Sequence, residues 1–236
     1  MKTIYLLSTL CFLTLCSACI GQESSNGNVT AKSINVEPFS KLVINSHCNV
    51  ILIQSNKEFV EIEADEHITE SIKAESKDGC LTIKNTNDSS FKRFKKCTIT
   101  INFINLYSLN LSNVGNISST NQIKTDSLNM EISSVGNTHL DLNTRQLTLK
   151  NKSVGNVEIK GQCDVAIIKN SSVGNMNMRE FTVKKLTINN SSVGNSHVSA
   201  SEEISIDHSG VGNFTYSGNP VVKELNSSGV GKVSKE

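Results

Sequence analysis

Residues 147–178, LTLKNKSVGNVEIKGQCDVAIIKNSSVGNMNM, carry two copies of one pattern, and that pattern decides the fold. Ser153-Val154-Gly155-Asn156 and Ser172-Val173-Gly174-Asn175 stand 19 residues apart, each between short runs of alternating apolar and polar residues. Outward from this pair the motif recurs as NVGN at 113–116, SVGN at 134–137 and 192–195, GVGN at 210–213 and GVGK at 229–232. Its glycines, Gly115, Gly136, Gly155, Gly174, Gly194, Gly212 and Gly231, are separated by 21, 19, 19, 20, 18 and 19 residues. A near-constant period of this size marks stacked repeats, in which each unit buries its apolar face against its neighbours.

Aligned on the glycines, the repeats form columns. Six residues before the glycine stand Leu109, Met130, Leu149, Ile168, Ile188, Ile206 and Leu225. Eight before it stand Tyr107, Leu128, Leu147, Ala166, Leu186, Ile204 and, off pattern, Lys223. The residue between these columns is mostly Ser or Thr, the period-two signature of a strand with one buried face. After the turn, Val157/Ile159, Met176/Met178 and Phe214/Tyr216 alternate in the same way. Valine precedes every glycine, and we assign this column to the core as well. Each repeat is thus two short strands around a Gly-Asn corner, where Gly takes positive φ and Asn tolerates the left-handed region.

The fold class expected is all-β, a right-handed parallel β-helix or two-sheet β-solenoid with repeats of ~20 residues. Stacking would set Asn116, Asn137, Asn156, Asn175, Asn195 and Asn213 in a ladder, side-chain amides bonding from rung to rung. An antiparallel meander of hairpins explains the alternation equally well. It does not explain the recurring valine, because a hairpin turn needs only Gly-Asn.

The chain divides into residues 1–18, 19–33, 34–110 and the repeat region 111–236. Met1 to Ala18 has the form of a signal peptide, with Lys2, an apolar run from Ile4 to Leu15 and small residues at Ser17-Ala18. Leu15-Cys16-Ser17-Ala18-Cys19 resembles a bacterial lipobox, with Cys16 where Leu is usual, and makes Cys19 the candidate lipid attachment site. Simple cleavage at the same bond is the alternative. The polar stretch Gln22 to Thr30 reads as a tether. Within 34–110, Leu42–Ile44, Val50–Ile53, Phe59–Ile62, Leu81–Ile83 and Thr98–Phe103 read as strands, and Asp65 to Ala74 as one or two helical turns with Ile68 and Ile72 on one face. This region is placed to cover the end of the repeat core.

The order of segments from Ile34 to Val233 resembles the head GIN domain family of putative autotransporter adhesins. The likeness rests on Val36-Glu37-Pro38-Phe39-Ser40-Lys41-Leu42, Asn49-Val50-Ile51-Leu52-Ile53-Gln54, Gly79-Cys80-Leu81-Thr82-Ile83 and the repeated glycine corners. The corners keep the second glycine of the family's Gly-Ser-Gly-like pattern and lose most of the first. The resemblance implies a β-helical fold without a recognised catalytic set, and a role in adhesion.

Of the 23 basic residues Lys2 lies in the signal segment, and the other 22 balance the 22 acidic ones, so there is no electrostatic footprint for nucleic acid. There is no Trp, and aromatic residues make up 5%, few for base or sugar stacking. Cys48, Cys80, Cys97 and Cys163 would meet an oxidising compartment after export. Cys80 and Cys97 each open a strand one coil period apart, so they are candidates for a disulfide, with two buried thiols as the alternative. We read Asp126, Asp141, Glu158, Asp164 and Asp207 as occupying different columns that do not converge, which argues against a polysaccharide-active enzyme. His139 and Glu158 share an outward column but have no third metal ligand, and His197 lies three rungs beyond His139. No catalytic residue, cofactor or metal site is assigned.

One charge cluster stands out: Phe91-Lys92-Arg93-Phe94-Lys95-Lys96. Lys92, Arg93, Lys95 and Lys96 are the candidate patch for an anionic glycan or a lipopolysaccharide phosphate, with a solvated loop as the plainer alternative. The expected role is a non-catalytic envelope or outer-membrane lipoprotein that binds a surface glycan or a ligand on a host or neighbouring cell. The membrane is reached through the anchor, and self-association stays open. A structural envelope component without a ligand is the alternative.

Overall fold

In the computed structural model, residues 28–86 and 94–236 are described. The signal segment, Cys19, Lys92 and Arg93 lie outside the described residues. The chain winds into a β-solenoid of about seven turns. In the repeat region, β10 (Ile123–Ile132), β11 (Thr138–Asn151), β12 (Val157–Asn170), β13 (Met176–Asn190) and β14 (Ser196–His208) pair in parallel, each with the next. Parallel pairing removes the hairpin alternative. Each coil runs along two sides. Pairing breaks at the Val-Gly-Asn corner and again at Asp126, Arg145, Asp164 and Lys184, which form a second corner.

The N-terminal part also coils, in an order that differs from chain order. β2 (Lys41–Ser46) and β3 (Asn49–Gln54) make one coil. It lies between β6 (Cys80–Asn85) with β7 (Cys97–Phe103) on one side and β8 (Ser108–Asn113) with β9 (Ile117–Ser119) on the other. The end is closed by antiparallel strands: β4 (Phe59–Asp65) on β7, β5 (Ile72–Lys77) on β6, and β1 (Val29–Asn35) on β4. β1 takes up Val29 and Thr30 of the stretch read as tether. The helix α1 (Glu66–Ser71) buries Ile68 and is followed by the buried Ile72, as expected. At the other end β15 (Phe214–Ser217) lies between β14 and β17 (Val233–Lys235), β16 (Val221–Ser227) pairs with β14, and among the described residues nothing stacks beyond β16 and β17. Leu225, in a column that is otherwise at most 1% exposed, is 46% exposed there.

Both main core columns are buried through the interior repeats, with two departures. Tyr107 precedes the start of β8 at a bend and faces outward, its ring under the Lys41 ammonium at 5.6 Å, while Leu106 points inward. The gap at Lys223 is filled: a register shift in β16 aligns Val222 with Ile204 and Leu225 with Ile206.

The valine column is the main correction. Val114 to Val230 do stack, joined by parallel bridges from rung to rung, but they face solvent, and Val173 is 53% exposed. Alternation carried forward from Leu149 explains it: Asn151 and Ser153 point in, Lys152 and Val154 point out. The corner therefore has a polar interior. Asn151 donates to Asn170 Oδ1 at 2.9 Å, Asn170 to Asn190 Oδ1 at 2.7 Å, and Asn190 meets His208 Nδ1 at 3.0 Å. Ser153, Ser172 and Ser192 donate to the Asn of their own rung. A buried polar row of this kind is stable only because nearly every group is paired.

The outer Asn ladder exists with a different bond from the one expected. Each Oδ1 accepts the backbone N–H of the matching residue on the next rung, as from Asn175 to Asn156 at 3.0 Å and, last, from Lys232 to Asn213 at 3.1 Å. The glycine is demanded twice. Gly174 has φ +132°, and a Cβ there would sit 2.2 Å from the carbonyl oxygen of Gly155.

Candidate functional site

The Val-Gly-Asn corner continues into the N-terminal coils in altered form. Asn49 Oδ1 accepts the N–H of Asn116, and Thr98 pairs with Asn49. That register sets Cys48 on the rung before Gly115 and Cys97 on the rung before that. Their Cα atoms are 4.8 Å apart, and they form the disulfide. The expected Cys80–Cys97 pairing is thus wrong: β6 places Cys80 opposite Lys41, on the other side of the coil. Cys80 and Cys163 are free, and burial pushes the Cys163 thiol up to about 11. The 49-residue separation of Cys48 and Cys97 corresponds to about 4 kcal/mol of chain-entropy stabilisation.

By the same register His47 and Lys96 take the places that valine holds below them. Here the surface opens into a cleft of about 860 Å³. Val114, Gly115 and Val135 line one part of it, and Phe94, Lys95, Lys96, Thr98, His47 and Asn49 the rest. The basic segment is pinned from beneath. Asp65, 1% exposed, accepts the backbone N–H groups of Lys95 and Lys96 at 3.2–3.3 Å instead of capping α1. The Lys96 ammonium pairs with Glu63 at 2.5 Å, and His47 Nδ1 meets the Asn85 amide at 3.0 Å. The cleft thus combines two lysines and neutral polar groups with an apolar floor, a composition that suits an anionic group on a larger, uncharged body.

The other candidate residues lie elsewhere. His139 Nε2 is 3.2 Å from Glu158 Oε2 on neighbouring rungs, both side chains about half exposed. His197 sits with Thr215, Arg179 and Glu236, away from His139. Its pKa is lowered, by burial first and by Arg179 second. Among the described residues no three His, Cys, Asp or Glu side chains converge. Asp126 and Asp164 do share a column, contrary to the sequence reading, but Arg145 stands between them. Arg145 pairs with Asp126 through two hydrogen bonds, and Lys184 pairs with Asp164 at 2.7 Å. The Arg145 hydrogen bonds hold the Asp126 carboxyl below its ordinary value. Acidic and basic residues alternate down this corner and leave no cluster of like charge for a metal.

The fold is a β-solenoid, and the basic cleft is one of several openings on its surface. The family model described as "Putative auto-transporter adhesin, head GIN domain" matches residues 38–220, and the chain belongs to that family. It is similar to a putative adhesin of Bacteroides fragilis NCTC 9343, at 25% identity and TM-score 0.84 over 90% of this chain and 99% of that one. A putative adhesin of Parabacteroides merdae ATCC 43184 (19% identity, TM-score 0.63, 89% and 97% covered) shares the fold. So does a putative lipid binding protein of Parabacteroides distasonis ATCC 8503 (17% identity, TM-score 0.65, 89% and 98% covered). No curated protein matches the chain. Family and fold suggest a non-catalytic, adhesin-like protein of the surface or envelope. No helix among the described residues is long and apolar enough to cross a membrane.

Proposed function

We propose that the chain is an envelope-anchored binding module, held by a lipid on Cys19 in the outer membrane, that engages an anionic surface ligand at the cleft. The observation that carries this reading is the placement of Lys95 and Lys96. A buried carboxylate fixes their backbone, and both residues line an opening that Val114 and Val135 also line. Phosphate on a lipopolysaccharide and sulfate or carboxylate on a glycan share the chemistry that two lysines recognise. Family membership supports the adhesin-like role; the ligand and the anchor are our own reading.

The test uses the exported chain with Cys19→Ser, which should no longer incorporate a labelled fatty acid that the parent takes up. Immobilised lipopolysaccharide and heparin separate the two sources of anion. Binding to either, reduced roughly tenfold or more by Lys95→Glu with Lys96→Glu and weakened by salt, is the expected result. Equal binding by the charge-reversed chain, or none by the parent, would overturn the cleft as the site.

A further inference from the structure

The seven valines of the glycine corner form an exposed ladder that no other part of the described residues covers. From Val114 to Val211 they are 48–53% exposed, and Val230 is 71% exposed. At a rung spacing of about 4.8 Å the ladder is about 29 Å long. Its flanks are uniform. Three residues before each glycine stands serine, except for Lys152 on one rung. The residue after the glycine is Asn on six rungs and Lys232 on the seventh. The result is a continuous, nearly uncharged strip with an apolar ridge on the order of several hundred Å², the size at which an exposed patch on a monomer usually has a use.

The strip's own chemistry narrows the occupant. A membrane surface would call for flanking Lys, Arg or aromatic residues, and the three columns hold two lysines and no aromatic residue. A glycan would call for stacking rings, which are missing for the same reason. A row of identical β-branched side chains at strand spacing is complementary to another such row, as in the dry interfaces between stacked sheets. We infer that the valine ladder is a self-association surface, whose partner is a second copy of this chain packed ridge to ridge.

A two-fold axis through Val173, the fourth of the seven, sets every valine of one copy against a valine of the other and Lys152 against a serine. No like charges then meet. With the serine and asparagine columns included, such a contact buries about 1,000 Å² in total, the lower bound for a specific, weak dimer. The interface is isologous, so it closes at two copies.

Sedimentation of the exported Cys19→Ser chain, from micromolar to hundreds of micromolar, should show a monomer–dimer equilibrium. Val173→Asp places two carboxylates face to face on the axis and should weaken it at least roughly tenfold. Its circular dichroism in dilute solution should stay as in the parent, and its melting temperature should fall by no more than a few degrees. Lys184→Glu, on the opposite corner, should leave the dimer intact. If Val173→Asp misfolds, Val173→Ser repeats the test with a neutral side chain. A chain that stays monomeric throughout, or a dimer indifferent to both changes at Val173, would overturn the proposal. So would a monomer that binds phosphatidylcholine vesicles through the ladder. The dimer would cover Val114 and Val135 at the cleft, but Val173 lies three rungs from Val114, so substitutions at Val173 and at Lys95 with Lys96 test self-association and ligand binding separately.

Discussion

The two corners of the solenoid solve the same stacking problem in opposite ways. At the glycine corner valine stands outside on every rung, and on the three central rungs asparagine and serine stand inside. At the other corner Asp126, Arg145, Asp164, Lys184 and Glu202 alternate in sign. Side chains on successive rungs sit about 4.8 Å apart. Identical neutral groups at that distance can pack or hydrogen-bond, whereas identical charges repel. Repetition is therefore open to the neutral corner, and alternation is what lets a charged one exist. The difference teaches that the regular corner is the one free to meet a partner along its length, while the charged corner is occupied with its own pairs.

The sharpest way to break that contrast is at the neutral corner. Gly174→Val forces a β-branched residue to φ +132° and sets its Cβ 2.2 Å from the Gly155 carbonyl oxygen. The backbone of two rungs must move, and a loss of about 3 kcal/mol or more is expected in thermal or denaturant unfolding. A cost near that of a surface substitution would show that the rungs are not so closely stacked. At the charged corner the effect should be far smaller. Lys184→Glu lines three acidic residues, Asp164, residue 184 and Glu202, along one column. It should lower the melting temperature slightly at low salt and not at all at high salt, because exposed pairs contribute little and are screened. The sign can be cross-checked with pH. Arg145 holds Asp126 below its ordinary value, so that pair's small contribution is present at neutral pH and fades as pH falls through the acid range.

Much of this was legible in the sequence. The seven glycines gave the period, and the columns at Leu149 and Leu147 gave the buried faces. The strands of the first half fell where their β-branched runs lie. The error at valine came from applying the rule that apolar residues go inside against the parity of the strand. Counting by twos from Leu149 reaches Asn151 and Ser153, not Val154, so the sequence already held the right answer. What hid it was the improbability of a buried polar column, which becomes acceptable only when Asn151, Asn170, Asn190 and His208 are seen to bond together. The exception shows the mechanism. Ile132 stands in the asparagine column, and Ser134 beside it is left with a buried hydroxyl that has no partner.

The cleft was half legible. Lys95 and Lys96 were named from charge alone. Their relation to the valine ladder depends on a corner in which His47-Cys48-Asn49 replaces Val-Gly-Asn, and on β2 and β3 stacking out of chain order. No periodicity announces either. The cysteine pair was misassigned for the same reason: spacing along the chain does not measure spacing along a solenoid whose coils are shuffled.

The inverted corner, with amide inside and valine outside, is tested most directly by comparing Val173→Asp with Asn170→Leu in thermal unfolding, at a concentration where the parent is monomeric. Val173→Asp should cost no more than about 1 kcal/mol, since the carboxylate enters water and loses mainly strand propensity. Asn170→Leu removes both rung bonds and leaves the Ser172 hydroxyl and two neighbouring amides short of partners, for a loss of about 2–4 kcal/mol. The reverse order, with the aspartate ruinous and the leucine tolerated, would return valine to the core and contradict the corner described above.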